Sequence, residues 1–419
     1  MKKALNGLVY SAFKWFDDSK LNRVNANSDE FIPLRKNFNE HEWSNFAIID
    51  YLALAGDKRV EKTAFRQIRK QNPDVAEIKK DIESVSYEEA SEYLFRVFNK
   101  HVLFFPEETN MHHCILPVVA DINSAILIDS HANSNMQIIA DKLKISGHRV
   151  EVIPHSSMDI LESRIKNLKN KYKKIWYLAN GIYSLCGDSL PTDDLKTLFK
   201  KYDQFYLYVD DSHGMSWIGE NGKGFIHHHF PNQQHIIMVA FLNKGFAAAG
   251  AIAVSFNEEL NKKLTLAFPI NTFSHNNQIG INSIIESAKT HLSSEIYELQ
   301  LKLNERIKFC NDTAQKLGLP IISITNSPIV FIAAGSLDIC LDISIRLLNR
   351  GFYISSAYYP LIPLNCSGLR IMISLYHSKT DIKKMLIALK EEFDMALNKR
   401  GIKNYNTSLN LKMGQFENY

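Results

Sequence analysis

The sequence has no CxxC pair, and its five cysteines (Cys114, Cys186, Cys310, Cys340 and Cys366) are scattered. An odd number at that spacing gives neither a disulfide framework nor a zinc site, so reduced thiols and a cytoplasmic protein are expected. No stretch reaches the roughly 20 apolar residues that span a bilayer. No charge of one sign dominates either: 49 Lys and Arg face 45 Asp and Glu, a formal charge of +4. Without a basic domain, nucleic acid is not the expected partner. Internal repeats and long low-complexity linkers are absent. Lys2 and Lys3 precede a short apolar stretch, but Asn6, Gly7 and Lys14 interrupt it and no small-x-small site closes it, which argues against a signal peptide. Leu5, Leu8, Val9, Ala12, Phe13 and Phe16 recur at helical spacing. They predict a helix docked on its own protein or a partner copy, with membrane contact at most peripheral.

What is present is ordinary for a globular chain: 419 residues, 45% hydrophobic and 22% charged. From about residue 100 to 255, short apolar runs alternate with amphipathic stretches. Ala125–Ile128, Val150–Ile153, Ile175–Leu178, Phe205–Val209, Ile236–Val239 and Ala251–Val254 predict buried strands. Ser157–Lys171 and Thr192–Tyr202 predict helices between them. That alternation implies an α/β fold with a mostly parallel sheet flanked by helices. One long helical region is expected over Ile279–Leu317. Beyond it, Ile329–Ala333, Leu337–Asn349, Leu369–Ser374 and Thr380–Leu397 suggest strand, helix, strand, helix in a smaller C-terminal α/β domain. The expected organisation is an N-terminal helical or extended segment over 1–48, a large domain over 49–285, a small domain over 286–398 and a polar tail over 399–419.

Ligands of open parallel sheets gather beyond the carboxyl ends of the strands. Four polar clusters sit there: Ser130-His131-Ala132, Asn180-Gly181-Ile182-Tyr183-Ser184, Asp210-Asp211-Ser212-His213-Gly214 and Asn243-Lys244-Gly245. Alone, Asp210 reads as a cap or loop carboxylate and Lys244 as a solvated charge. Together they meet one demand. A pyridoxal cofactor needs a lysine for its Schiff base and a carboxylate that keeps the pyridine nitrogen protonated, so that the ring draws electrons from a carbanion.

In these blocks the chain resembles the α-oxoamine synthases, a family of fold-type-I pyridoxal-phosphate enzymes with the aminotransferase-like fold. The resemblance rests on Asp210-Asp211-Ser212-His213-Gly214, Gly219-Glu220-Asn221-Gly222-Lys223-Gly224, the block from Asn180 to Asp188 with Leu190-Pro191, Asn243-Lys244-Gly245-Phe246 with Gly250, Ser130-His131-Ala132-Asn133, and Leu369-Arg370-Ile371 with His377. It covers roughly residues 100–395. It implies pyridoxal 5'-phosphate bound covalently through Lys244, with Asp210 on the pyridinium nitrogen and His131 stacked on the ring. His213 and Ser184 would hydrogen-bond near the phenolic oxygen, and Arg370 would grip the substrate carboxylate. Asn110 matches the asparagine of a segment that approaches the cofactor. Further implications are condensation of an amino acid with an acyl thioester, carried by coenzyme A or an acyl carrier protein, and a homodimer with shared sites.

The chain also departs from the family. Phe241 stands where a phosphate-binding threonine is usual, and Phe105-Pro106-Glu107-Glu108-Thr109-Asn110 lacks the family's glycine. The phosphate is then left to Thr109, Asn243, or Ser274 and His275 of a partner subunit. No metal is expected: His227-His228-His229 reads as a surface loop, since consecutive histidines cannot all face one ion on regular structure. His112-His113 reads as a helix start near the cofactor pocket. An aminotransferase, a lyase or a decarboxylase would use the same residues, and a non-catalytic homologue that binds a partner is the reading from another class.

Overall fold

The computed structural model describes residues 35–38, 41–60, 85–105, 108–267, 278–359 and 361–402. The N-terminal helix expected over residues 5–16, most of the polar tail, and Ser274 and His275 lie outside the described residues. In chain order the strands are β1 (Arg35–Phe38), β2 (His41–Asn45), β3 (Val102–Phe105), β4 (Ser124–Asp129), β5 (Arg149–Ile153), β6 (Lys174–Asn180), β7 (Phe205–Asp210), β8 (Ile236–Phe241), β9 (Ala251–Ser255), β10 (Ile329–Gly335), β11 (Phe352–Tyr353), β12 (Ser355–Ala357) and β13 (Ser367–Met372).

Seven of them form one sheet in the order β3-β9-β8-β7-β6-β4-β5. The run from β8 to β5 is parallel, while β9 and β3 add antiparallel at one edge. The central strands read as unbroken apolar runs because both faces are covered. Leu127, Tyr177 and Leu207 enter one core cluster, and their neighbours Ile126, Trp176 and Tyr208 enter the other. Helices Ser134–Ile145, Met158–Leu168 and Thr192–Lys201 make the crossovers. The last buries Leu195, Leu198 and Phe199 and carries Asp193 and Asp194 in its first turn, with Lys200 and Lys201 in its last. Its apolar stripe faces the sheet and its charges oppose the helix dipole.

The long helical region is two helices, Gln278–His291 and Glu295–Lys316. Ser293 causes the break locally: its hydroxyl donates to the Thr290 carbonyl and accepts from the Glu295 amide, offering the backbone an alternative to the helical ladder. Strands β10, β13 and β12 form a small antiparallel sheet. Helix Lys379–Asn398 follows it, opened by a capping box between Ser378 and Asp381.

A third sheet, β1-β2-β11, was not legible in the polar opening of the sequence. β1 and β2 form a local antiparallel hairpin, and distant chain holds it in place. β2 runs parallel to β11, Phe46 accepts from the Met372 amide, and Tyr51 accepts from the Leu375 amide. These bonds bring residues 44–52 against the small sheet. The triple histidine also departs from expectation. Residues Phe225–His229 form a short helix, and His227 is buried with Nε2 3.1 Å from the Phe98 carbonyl, so the run is not a surface loop. Among the described residues no helix is long and apolar enough to cross a membrane.

Candidate active site

The sheet order reverses between β4 and β6: the crossover from β4 leads outward to β5, and β6 returns to the other side of β4. Such a switch point opens a crevice at the carboxyl ends of the strands, and the four polar clusters of the sequence surround it. Asp210 closes β7 and is 2% exposed. Its Oδ1 accepts from the Ser212 amide at 2.9 Å and from the Ser212 hydroxyl, and its Oδ2 accepts from Asn133 Nδ2 at 2.9 Å. The Asn133 amide donates in turn to Asn180 Oδ1 at 2.9 Å. Ser212 Oγ accepts from the Phe241 amide at 2.8 Å. The ends of β4, β6, β7 and β8 are thus tied around one carboxylate.

Asp211 points to the other side of the strand end, where it accepts from the Ile226 amide at 2.9 Å. A Cβ on Gly181, Gly214 or Gly224 would come within 2.1–2.4 Å of its carboxylate oxygens. Those glycines let three backbone segments close over it. Burial, reinforced by the charge of Asp210, raises the Asp211 carboxyl well above the usual range.

Lys244 is half-buried after β8. Its Nζ lies 3.1 Å from His213 Nε2 and 4.8 Å from the centre of the Phe241 ring. On the far side, His213 Nδ1 meets the Tyr51 hydroxyl at 2.7 Å. Burial, then the charges of Lys244 and Arg370, hold His213 well below its ordinary pKa, so the ring is neutral at pH 7. Arg370 comes from β13, and its Nη1 donates to the Ser184 carbonyl at 3.1 Å. The small sheet therefore supplies a guanidinium to the edge of the large one. Tyr51→Phe removes the partner of a buried ring nitrogen and should lower stability by about 1–3 kcal/mol. Urea unfolding of the two proteins measures it, and identical midpoints and slopes would show that the bond contributes nothing.

His131 donates its amide to Asp129 Oδ1 at 2.8 Å, and its ring lies parallel to that of His155, 4.1 Å away and 17° from coplanar. Thr109 and Asn110 fall in the first turn of helix Glu108–Val119. Asn243 is exposed beside Lys244. His112 lies in the same helix as Thr109, buried, with Nδ1 2.8 Å from the Tyr208 hydroxyl, its ring edge-on to Phe241 and Nε2 unpartnered. His377 does not enter the crevice: it stacks on Phe46 at 4.0 Å and bonds to the Asn45 carbonyl and the Ser374 amide.

The sequence alone did not assign roles to Tyr51, Asn133, Ser212 or His155. Asn133 and Ser212 lay inside the matched blocks, and that position was their only signal. Tyr51 lay in Ile49-Asp50-Tyr51-Leu52-Ala53, which partly matches a family block, but that match assigned it no role and His213 stands 162 residues away. Among the described residues, no group of three or more His, Cys, Asp or Glu is placed to hold a metal ion.

No model of a known protein family matches the sequence. The chain is 24% identical over 351 residues to the 8-amino-7-oxononanoate synthase of Petrotoga mobilis, covering 83% of this chain and 87% of that one. It is 28% identical over 277 residues to that of Maricaulis maris, covering 66% and 67%. Among solved structures, Sphingomonas wittichii serine palmitoyltransferase superposes with a TM-score of 0.83 at 15% identity, over 94% of this chain and 98% of that one. The 8-amino-7-oxononanoate synthase of Francisella tularensis gives a TM-score of 0.65 at 18% identity, over 84% and 98%. These superpositions establish the fold as that of the fold-type-I enzymes.

Proposed function

We propose, from the premise that this chain is a divergent member of the α-oxoamine synthase family of fold-type-I pyridoxal-phosphate enzymes, that it condenses an amino acid with an acyl thioester and releases carbon dioxide to form an α-amino ketone. The observation that carries the reading is the convergence of Lys244, His213, Tyr51 and Arg370 on the crevice whose floor is Asp210.

The donor set fits pyridoxal 5'-phosphate. Lys244 offers an amine beside a neutral imidazole, and Asp210 offers a buried carboxylate already oriented by Ser212 and Asn133. When bound, the cofactor supplies an electron sink for the carbanion formed at the amino acid's α carbon. The chain's own residues do the rest. Lys244 Nζ, as a neutral amine, takes the α proton and later returns one. His213, held in place by Tyr51, lies within hydrogen-bond reach of that nitrogen and would donate to or accept from a group bound beside it. Arg370, held by the Ser184 carbonyl, pairs with the substrate carboxylate in the fork geometry suited to guanidinium. Phosphate contacts fall to Thr109, Asn110 and Asn243, and in a homodimer to Ser274 and His275 of the second copy.

The deciding experiment supplies carboxyl-labelled amino acids to the pyridoxal-phosphate-loaded protein, with and without acyl thioesters on coenzyme A or acyl carrier protein. Thioester-dependent release of labelled carbon dioxide with an amino ketone product is expected. Release without thioester would make the protein a decarboxylase, and accumulation of a keto acid would make it an aminotransferase.

A further inference from the structure

We propose that His155 is a positioning residue for His131: clamped between Asp129 and Asp188, its ring backs one face of His131 and directs the other face to the ring of a bound cofactor. The cofactor half of this inference rests on the function proposed above.

The clamp is built from three strand ends. His155 follows β5, and its Nδ1 lies 3.0 Å from Asp129 Oδ1 at the end of β4. Its Nε2 lies 2.8 Å from Asp188 Oδ2 in the loop after β6. Both ring nitrogens therefore face carboxylates. Asp129, fully buried, is itself saturated: Oδ1 also accepts from the His131 amide at 2.8 Å, and Oδ2 accepts from the Ser156 amide at 3.0 Å and the Tyr177 hydroxyl at 2.9 Å. One carboxylate thus holds the backbone of His131 and the ring that stacks on it. Tyr183 meets His155 edge-on at 4.4 Å. Asp188 also pins the loop that carries Ser184, since its carbonyl accepts from the Tyr183 amide at 2.9 Å.

The groups facing His155 are therefore two carboxylates, one imidazole and one tyrosine edge. Burial opposes a charge there, but the hydrogen bonds to Asp129 and Asp188 outweigh it and lift His155 to about 9. His131 moves the other way: burial, then the positive charge of His155, lowers it. The pair is an imidazolium behind a neutral imidazole. A neutral ring stacks on a pyridinium without charge repulsion, and a parallel ring behind it limits its rotation.

Histidine-selective NMR on the full-length chain, with and without pyridoxal phosphate, tests this alongside Asp188→Asn and His155→Asn. In the wild type the resonance that His155→Asn deletes should remain that of an imidazolium up to pH about 9. Asp188→Asn keeps a hydrogen-bonding side chain but removes a charge, and should move that titration down by about one unit or more. In cofactor-free His155→Asn the His131 titration should rise toward its ordinary value. The dissociation constant for pyridoxal phosphate in that variant should rise about tenfold, the scale of one lost hydrogen bond to a charged group. A His155 that titrates near 6.5, or a His131 titration and cofactor affinity unchanged in both variants, would overturn the proposal. If the wild type binds no pyridoxal phosphate, the proposed function falls, while the cofactor-free titrations still decide whether His155 controls His131.

Discussion

Lys244→Ala should leave a folded protein with no measurable turnover, a loss of at least about 10⁴-fold. The expectation follows from two roles lost at once, the covalent anchor and the proton-transfer base, the second alone accounting for roughly 10²–10⁴. The fold has little stake in this side chain. Lys244 is half-buried, and its ammonium is one of the charges that depress buried His213. Removing it leaves the Tyr51–His213 bond in place; the lost contact to His213 Nε2 is offset in part by removing a charge that depresses that ring, so stability should fall by no more than about 1–3 kcal/mol. Borohydride treatment of the wild type with pyridoxal phosphate, followed by peptide mapping, should label Lys244 and no other lysine. Full activity in the alanine variant, or a label elsewhere, would sink the assignment and favour a binding protein on an inherited scaffold.

The second large effect is on stability in acid. His112, His227, His291 and His377 are buried neutral, each held at about 4 chiefly by burial, and burial also holds His213 well below its ordinary value. As pH falls through 6.5, the unfolded chain binds five protons on these rings that the folded chain refuses. Stability is therefore lost as pH drops from about 6.5 toward 4, at about 1.4 kcal/mol per group per unit once well below 6.5. Asp50 works in the opposite direction. Burial lifts it to about 6, so the folded state takes that proton first and gains stability as pH falls toward 3.8. Asp211, also lifted by burial, works the same way, and two protons against five do not reverse the slope. At pH 5 each of the four rings near 4 costs roughly 2 kcal/mol, together comparable to the roughly 5–15 kcal/mol that holds a typical domain folded. Circular dichroism against pH should show cooperative unfolding near pH 5. Unfolding free energies that stay flat between pH 6.5 and 5 would refute it. On the alkaline side, His155 contributes stability that is present below 6.5 and lost as pH rises through about 9.

Six strands of the large sheet, β4 to β9, could be placed from sequence because a sheet covered on both faces demands runs such as Ile175–Leu178 and Phe205–Val209, although β5 lies at the sheet edge and is not buried as expected, with Val152 65% exposed. Their polar ends could be placed for the same reason: the apolar run stops where the crevice begins. Strands β1 and β2 form a local hairpin in a polar stretch with no such pattern, and the strand that joins them to the rest of the chain, β11, lies more than 300 residues away. The break in the helical region turned on a single serine side chain, and periodicity does not see that. His227 looked like part of a polar surface tract, yet its ring is buried against the Phe98 carbonyl, a contact 129 residues away in the chain.

Sequence by itself therefore determined which residues could carry chemistry. A lysine, an aspartate and a histidine just past buried strands were candidates for chemistry on residue type and position alone. The tertiary structure decided what each of them touches. Tyr51 meets His213 because residues 46–51 are hydrogen-bonded along the small sheet. Arg370 meets Ser184 because β13 packs near the loop after β6. His155 meets His131 because β5 and β4 are neighbours in register. The physical reason is the range of the interactions. Burial periodicity is written into a few consecutive residues, whereas these hydrogen bonds and ring contacts act over 2.7 to 4.1 Å between segments that only the packed chain brings together.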